Sequence, residues 1–154
     1  MALADLIAQN AVLPALKANS KKQLLQEMSA KAASLTGLPE REIFDVILQR
    51  ERLGSTGVGN GIAIPHGKMP HLEQIVGVFA RLEQPVDFEA LDDEPVDLVV
   101  LLLAPEGAGA DHLKALSRIA RVMRDGDLVE KMRATDDAAS LYAFLSNSQA
   151  SNAA

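Results

Sequence analysis

Val96-Asp97-Leu98-Val99-Val100-Leu101-Leu102-Leu103 is an almost unbroken apolar run of strand length. A strand with one wet face alternates apolar and polar residues, whereas a continuous Val/Leu run marks a strand buried on both faces. The run falls well short of the ~20 residues that a membrane-spanning helix needs. It therefore reads as the central strand of a sheet, and helices are expected on both sides of it.

Working outward, Gly61–Ile64 and Ile75–Leu82 read as further strands separated by Pro and Asp turns, and Ala11–Leu16 as a short one. Ser20-Lys21-Lys22-Gln23 has the form of a capping box. Leu24, Leu25, Met28, Ala32 and Leu35 follow at helical spacing, and Gly37 closes the segment. Pro39 suits the first turn of a second helix with Ile43, Phe44, Ile47 and Leu48 on one stripe. Downstream of Gly107-Ala108-Gly109, the stripe Leu113, Leu116, Ile119, Ala120 and Met123 marks a third long helix, with Asp111 near its cap. Shorter helices are expected at Leu128–Met132 and Asp137–Leu145. The fold class expected is α/β: a three-layer sandwich with a small mixed β-sheet covered by helices on both faces. Residues 1–146 form one domain in this reading, and 147–154 a flexible C-terminal tail.

Composition narrows the function. The 154 residues hold 48% hydrophobic and 3% aromatic side chains, with no Trp and one Tyr, so stacking platforms for bases or sugars are scarce. Twenty-one acidic against fifteen basic side chains give a formal charge of −6, opposite to what a nucleic-acid binder concentrates. The absence of cysteine excludes disulfides, thiolate catalysis and cysteine-ligated metals. Met1–Leu6 lacks the basic start of an export signal, and no segment is expected to insert in a membrane, so a cytoplasmic location is expected.

The segment Arg50 to Lys68 holds five of the ten glycines, at 54, 57, 59, 61 and 67. Glycine loses more conformational entropy on folding than any other residue, so clustering it implies a local need. One such need is backbone N–H groups approaching an anion closely; another is an irregular connection built of turns. Ser55 and Thr56 add hydroxyls, and Arg50 and Lys68 add charge within sequence reach. The P-loop and GxGxxG spacings both fail here, which disfavours nucleotide. His66, between Pro65 and Gly67 at the end of a short apolar strand, is placed for chemistry. Neutral imidazole is a nitrogen nucleophile near pH 7, and phosphoryl transfer to it needs chiefly positioning and charge stabilisation.

Gly54-Ser55-Thr56-Gly57-Val58-Gly59-Asn60-Gly61-Ile62-Ala63-Ile64-Pro65-His66-Gly67-Lys68 resembles the signature of bacterial phosphotransferase-system EIIA domains of the fructose/mannitol type, in particular the nitrogen-regulatory branch, EIIA-Ntr. The likeness extends through Ser20-Lys21-Lys22, Arg50-Glu51, Pro95-Val96-Asp97-Leu98 and His112-Leu113. It implies phosphorylation of His66, at Nε2, by an HPr-like donor (NPr in the nitrogen branch) charged by an enzyme I that uses phosphoenolpyruvate. It places the family's second active-site histidine at His112 and its arginine at Arg50. Ser55, Thr56, Gly67 and Lys68 are added as phosphate contacts on physical grounds. No cofactor is expected beyond the phosphoryl group itself. The protein would act as a stoichiometric phosphoryl-transfer protein rather than a free-standing turnover enzyme.

Two functions share this chemistry. One is a regulator whose targets, potassium-transport or sensor-kinase systems in the nitrogen branch, respond to the charge added at His66. The other is a sugar-specific EIIA component passing phosphoryl to an EIIB domain. A binding module with a dead site is a third class. His71 reads as a solvated loop residue, and the histidine spacings do not suggest a metal site. Lys114, Arg118, Arg121 and Arg124 repeat at helical spacing beside His112, as a solvated helix face or as the border of a surface meeting an acidic partner.

Overall fold

The computed structural model describes residues 2–153 and the side chains of residues 2–147. In chain order the elements are α1 (Leu3–Leu6), β1 (Ile7–Leu16), α2 (Lys21–Thr36), α3 (Glu40–Arg52), β2 (Gly57–Gly59), β3 (Ile62–Ala63) and β4 (His66–Met69). They continue with β5 (Val76–Val86), β6 (Val96–Pro105), α4 (Ala110–Val122), α5 (Gly126–Arg133) and α6 (Ala138–Ala153).

The apolar run is the interior strand β6. It pairs antiparallel with β5 on one side and parallel with β3 and β4 on the other, in a mixed sheet ordered β1-β5-β6-β3-β2. Every side chain from Leu98 to Ala104 is fully buried. Because strand side chains alternate, the run feeds two cores. Leu98, Val100 and Leu102 pack with Leu3, Leu6, Ile119, Met132 and Leu141 from α1, α4, α5 and α6. Val99, Leu101 and Leu103 pack with Leu24, Met28, Ile43 and Ile47 from α2 and α3. Each such burial is worth about 1.5–3 kcal/mol relative to exposure, which is why both helical layers are held. The three-layer sandwich follows from that one strand.

Asp97 interrupts the run because it has a partner. Arg133 at the end of α5 donates from Nε to both Asp97 carboxylate oxygens, at 3.1 and 2.9 Å, and from Nη2 to the Asn60 carbonyl. This clamp ties the outer helices to the sheet end.

At the start of α2, Ser20 Oγ accepts from Gln23 N at 3.1 Å as expected. The reciprocal bond shifts by one residue: Gln23 Oε1 accepts from Asn19 N at 2.7 Å. Helix α4 keeps most of its expected stripe, with Ile119 and Met123 buried and Leu116 and Ala120 packed against the core, but Leu113 does not share it. His112, Ala115, Ile119 and Val122 face inward, while Leu113 is 67% exposed. The helix N-cap is Gly109 with no side-chain cap, and Asp111 lies in the first turn. Helix α6 continues to Ala153, across the stretch 147–153 where a loose tail is expected; no Gly or Pro follows Gly126 to stop a helix, and Ala154 lies outside the described residues.

Candidate functional site

Three elements converge near the C-terminal end of β6. Strand β3 and strand β4 both run parallel to β6, and Ile64-Pro65 separates them. Pro65 has no N–H for the ladder, but its carbonyl accepts from Leu102 N at 2.9 Å. His66 then re-enters register opposite Leu102 and opens β4, rather than lying just beyond a strand. Its ring is half-buried, with Nδ1 2.8 Å from the Ile64 carbonyl oxygen. A carbonyl can only accept, so Nδ1 carries the proton and Nε2 keeps its lone pair. His112, buried at the start of α4, sets its ring 5.7 Å from that of His66, centroid to centroid, with the planes at 69°. The His112 Nε2 is buried without a hydrogen-bond partner among the described residues. Buried polar atoms without partners are rare and mark places where a ligand oxygen can complete the bonding.

A shallow cavity of about 480 Å³ opens over these rings. Arg50, from the last turn of α3, and Lys68, exposed on β4, supply its cations, and Gly67 part of its floor. Arg50 is held by an Nη1 bond to the Gly54 carbonyl at 3.0 Å. Val46, Gln49 and the 85% exposed Leu53 complete the wall. Sequence reasoning offered no signal for these last three, since their role depends on how α3 lies against β4.

Burial pushes the His66 imidazole below its ordinary value of 6.5; the bond to Ile64 opposes this, the charge of Arg50 adds to it, and that of Glu51 opposes it. Burial likewise lowers His112, helped by the charges of His66 and Lys68. Both rings are therefore neutral near pH 7, the state in which a ring nitrogen is nucleophilic. The linkage has a definite sign. Below about pH 6.5 the unfolded chain binds protons that the folded rings still refuse, so stability falls as pH drops through that window and levels off below the folded values. Ring-nitrogen NMR titration should place both midpoints under 6.5, and the denaturant midpoint should decline from about pH 7 to about pH 5 less in His66→Gln. A midpoint at or above 6.5 for His66 contradicts the buried, cation-flanked ring.

Of the two needs open for the glycine segment, the structure shows the turn-built connection and not an anion cradle, and Ser55 and Thr56 do not line the cavity. Ser55 Oγ donates to the Phe88 carbonyl at 3.2 Å and accepts from Gly57 N at 3.1 Å. Thr56 is buried; its hydroxyl donates to Glu51 Oε1, and its N–H bonds both Glu51 oxygens at 3.2 Å. Asn60 N bonds Asp92 Oδ2 at 3.0 Å. With these amides engaged by the protein's own acceptors, they are not available to an anion. Asn60-Gly61 is instead the two-residue turn of a β2–β3 hairpin, both residues having positive φ (57° and 81°). Asn-Gly is the preferred pair for that turn, so the sequence itself carries the signal for it. Gly67 serves close approach: a Cβ there would stand 2.5 Å from Val46 Cγ1.

The sequence reading also missed Glu51. Its carboxylate, 3% exposed, is 2.9 Å from Lys21 Nζ, which sits 4.5 Å from the centre of the Phe88 ring. A lysine in the first turn of α2 opposes the helix dipole, the one hint that it has an acidic partner. His71 is exposed in a turn with φ 66°. Among the described residues no group of three His, Cys, Asp or Glu side chains is placed to hold a metal ion, and no helix is long and apolar enough to cross a membrane.

A nitrogen regulatory protein of Bradyrhizobium diazoefficiens is 65% identical over 145 residues, covering 94% of this chain and 95% of the relative. The crystal structure of nitrogen regulatory protein IIA-Ntr from Neisseria meningitidis superimposes with a TM-score of 0.88 at 33% identity, covering 93% of this chain and 98% of that one. The Escherichia coli IIA-mannitol chain, solved in complex with phosphorylated IIB-mannitol, shares the fold with a TM-score of 0.76 at 21% identity, over 92% of this chain and 99% of that one. The model of the phosphoenolpyruvate-dependent sugar phosphotransferase system EIIA 2 family matches residues 5–148, and this chain belongs to that family.

Proposed function

We propose that this chain is a phosphohistidine carrier and regulator of a nitrogen-related phosphotransferase system. His66 Nε2 accepts a phosphoryl group from an HPr-like phosphocarrier of the NPr kind, the group coming ultimately from phosphoenolpyruvate. The new N–P bond forms as the donor's bond to phosphorus breaks, and the His66 Nδ1 proton stays in its bond to Ile64. His112 Nε2, Arg50 and Lys68 then face the phosphoryl oxygens. The observation that carries this reading is the Ile64 bond at 2.8 Å, which selects the tautomer with Nε2 open to the cavity. Leu53, an apolar side chain at the cavity rim, favours a protein donor over a small free one. The charge added at His66 changes which regulatory proteins bind, in a cytoplasmic setting.

The test is incubation with phosphoenolpyruvate, enzyme I and the HPr-like donor, followed by intact mass measurement and acid treatment. One acid-labile phosphoryl group per chain is expected. A chain that stays unmodified beside a donor shown to be charged refutes the proposal. The sugar-transport alternative has a relative in the mannitol IIA complexed with phosphorylated IIB. Rapid onward transfer to a fructose- or mannitol-type EIIB domain would favour it; a phosphorylated state that persists beside EIIB favours the regulator.

A further inference from the structure

Helix α4 leaves the cavity as a basic ridge. Leu113 and Lys114 directly follow His112, and Leu113, Lys114, Ser117, Arg118, Arg121 and Arg124 line one depression on the outer side of the helix. The inner side is buried in the core. Lys114, Arg118 and Arg121 stand at i, i+4 and i+7, so their charges run along roughly 10 Å of helix axis, with Arg124 just beyond. Among the described residues none of the four enters an ion pair. Arg124 Nε only reaches back to the Ala120 carbonyl at 3.3 Å, and Arg118 Nε is buried without a partner. Like charges at this spacing repel, and among the described residues no ion pair relieves them, although the chain's formal charge is −6.

We propose that this outer face of α4 docks an acidic surface of a protein partner, one presenting carboxylates at helical spacing. Three of the four cations are arginines, whose planar forks pair with carboxylates bidentately. An anionic membrane fits less well: an interfacial helix turns its apolar face to lipid, and the apolar face of α4 is in the core. A phosphate backbone fits less well too, since a duplex carries its charge far beyond the ridge onto the acidic remainder of the molecule, whereas one acidic helix can be confined to it. Leu113, 67% exposed at the end of the ridge nearest His112, supplies an apolar anchor among the charges. Docking here needs no phosphoryl group on His66, so it stands or falls separately from the acceptor chemistry.

The test is fluorescence anisotropy with a labelled helical peptide carrying Glu at i, i+4 and i+7 around one Leu. A peptide with Lys at those positions, phosphatidylglycerol vesicles and duplex DNA serve as the other probes. Wild type should bind the Glu peptide with an affinity that falls as salt rises. The double variant Arg118→Glu with Arg121→Glu should bind it roughly tenfold or more weakly and prefer the Lys peptide. Arg118→Gln with Arg121→Gln, which adds no new charge, should fall between, and circular dichroism checks that both variants fold. The proposal is overturned if wild type binds the Glu and Lys peptides alike or neither. It is equally overturned if the folded variants keep wild-type affinity, or if vesicles or DNA are bound and the Glu peptide is not.

Discussion

His66→Ala is expected to show no phosphoryl uptake at any donor concentration at which wild type is fully converted. The substitution removes the Nε2 atom proposed as the nucleophile, whose tautomer the Ile64 bond selects. His112 is a poor substitute, because its Nε2 is buried beneath the cavity surface, out of reach of an incoming donor's phosphorus. His112→Ala should give a different result. It leaves the nucleophile and its Ile64 bond intact and removes a neighbour able to bond the phosphoryl oxygens. Loss of one such donor slows transfer by roughly a hundredfold to a thousandfold, so uptake should persist at a reduced rate. Quenched-flow transfer from charged donor, read by intact mass, separates the outcomes. Equal rates in wild type and His112→Ala would remove His112 from the chemistry, and full conversion of His66→Ala would move the acceptor elsewhere.

The second large effect concerns stability. Glu51→Ala should lower the unfolding free energy by about 3 kcal/mol, because it strands Lys21 near Phe88 and leaves the buried Thr56 N–H and hydroxyl without an acceptor. The figure sits at the low end for one partner of a buried pair since Lys21 keeps some access to water. For a domain of this length that corresponds to a fall in melting temperature of roughly 10 °C. Replacing both charges, Lys21→Met with Glu51→Gln, should recover most of the loss, since a buried pair is worth much less than its broken half. Denaturant melts of wild type, single and double variants check this. A single variant within about 0.5 kcal/mol of wild type would show that water, not Glu51, satisfies these groups.

The consequence for the site is indirect. Glu51 holds the turn after α3, and Arg50 on the same helix end is fixed by the Gly54 carbonyl within that turn. Loosening the turn should therefore weaken the Arg50 placement over His66 as well as the fold.

Much of this architecture was legible in local patterns. The unbroken run at 96–103 implied two covered faces because side chains on a strand alternate, and both faces are in fact packed by helices. The helices α2 and α3 follow their apolar spacing and punctuation. The reading of the glycines was poorer. An anion cradle was one of the two needs the cluster could serve, whereas the Thr56, Gly57 and Asn60 amides are satisfied by Glu51 at the end of α3, by Ser55 and by Asp92 between β5 and β6. Leu113 falls off the stripe for a related reason: periodicity gives its angle only to about one residue, and packing against the sheet kept Ile119 and Met123 inside and added His112, Ala115 and Val122.

By itself the sequence determined the two-faced sheet, the run of helices on either side and the candidacy of His66, because these depend on neighbours in the chain and on the period of the backbone. Only the tertiary structure decided that His112 and Arg50, 46 and 16 positions away, meet His66, that its Nδ1 is bonded and its Nε2 free, and that Ser55 and Thr56 serve the fold instead. Those are distances between groups far apart in the chain, and no local pattern carries a distance across the core.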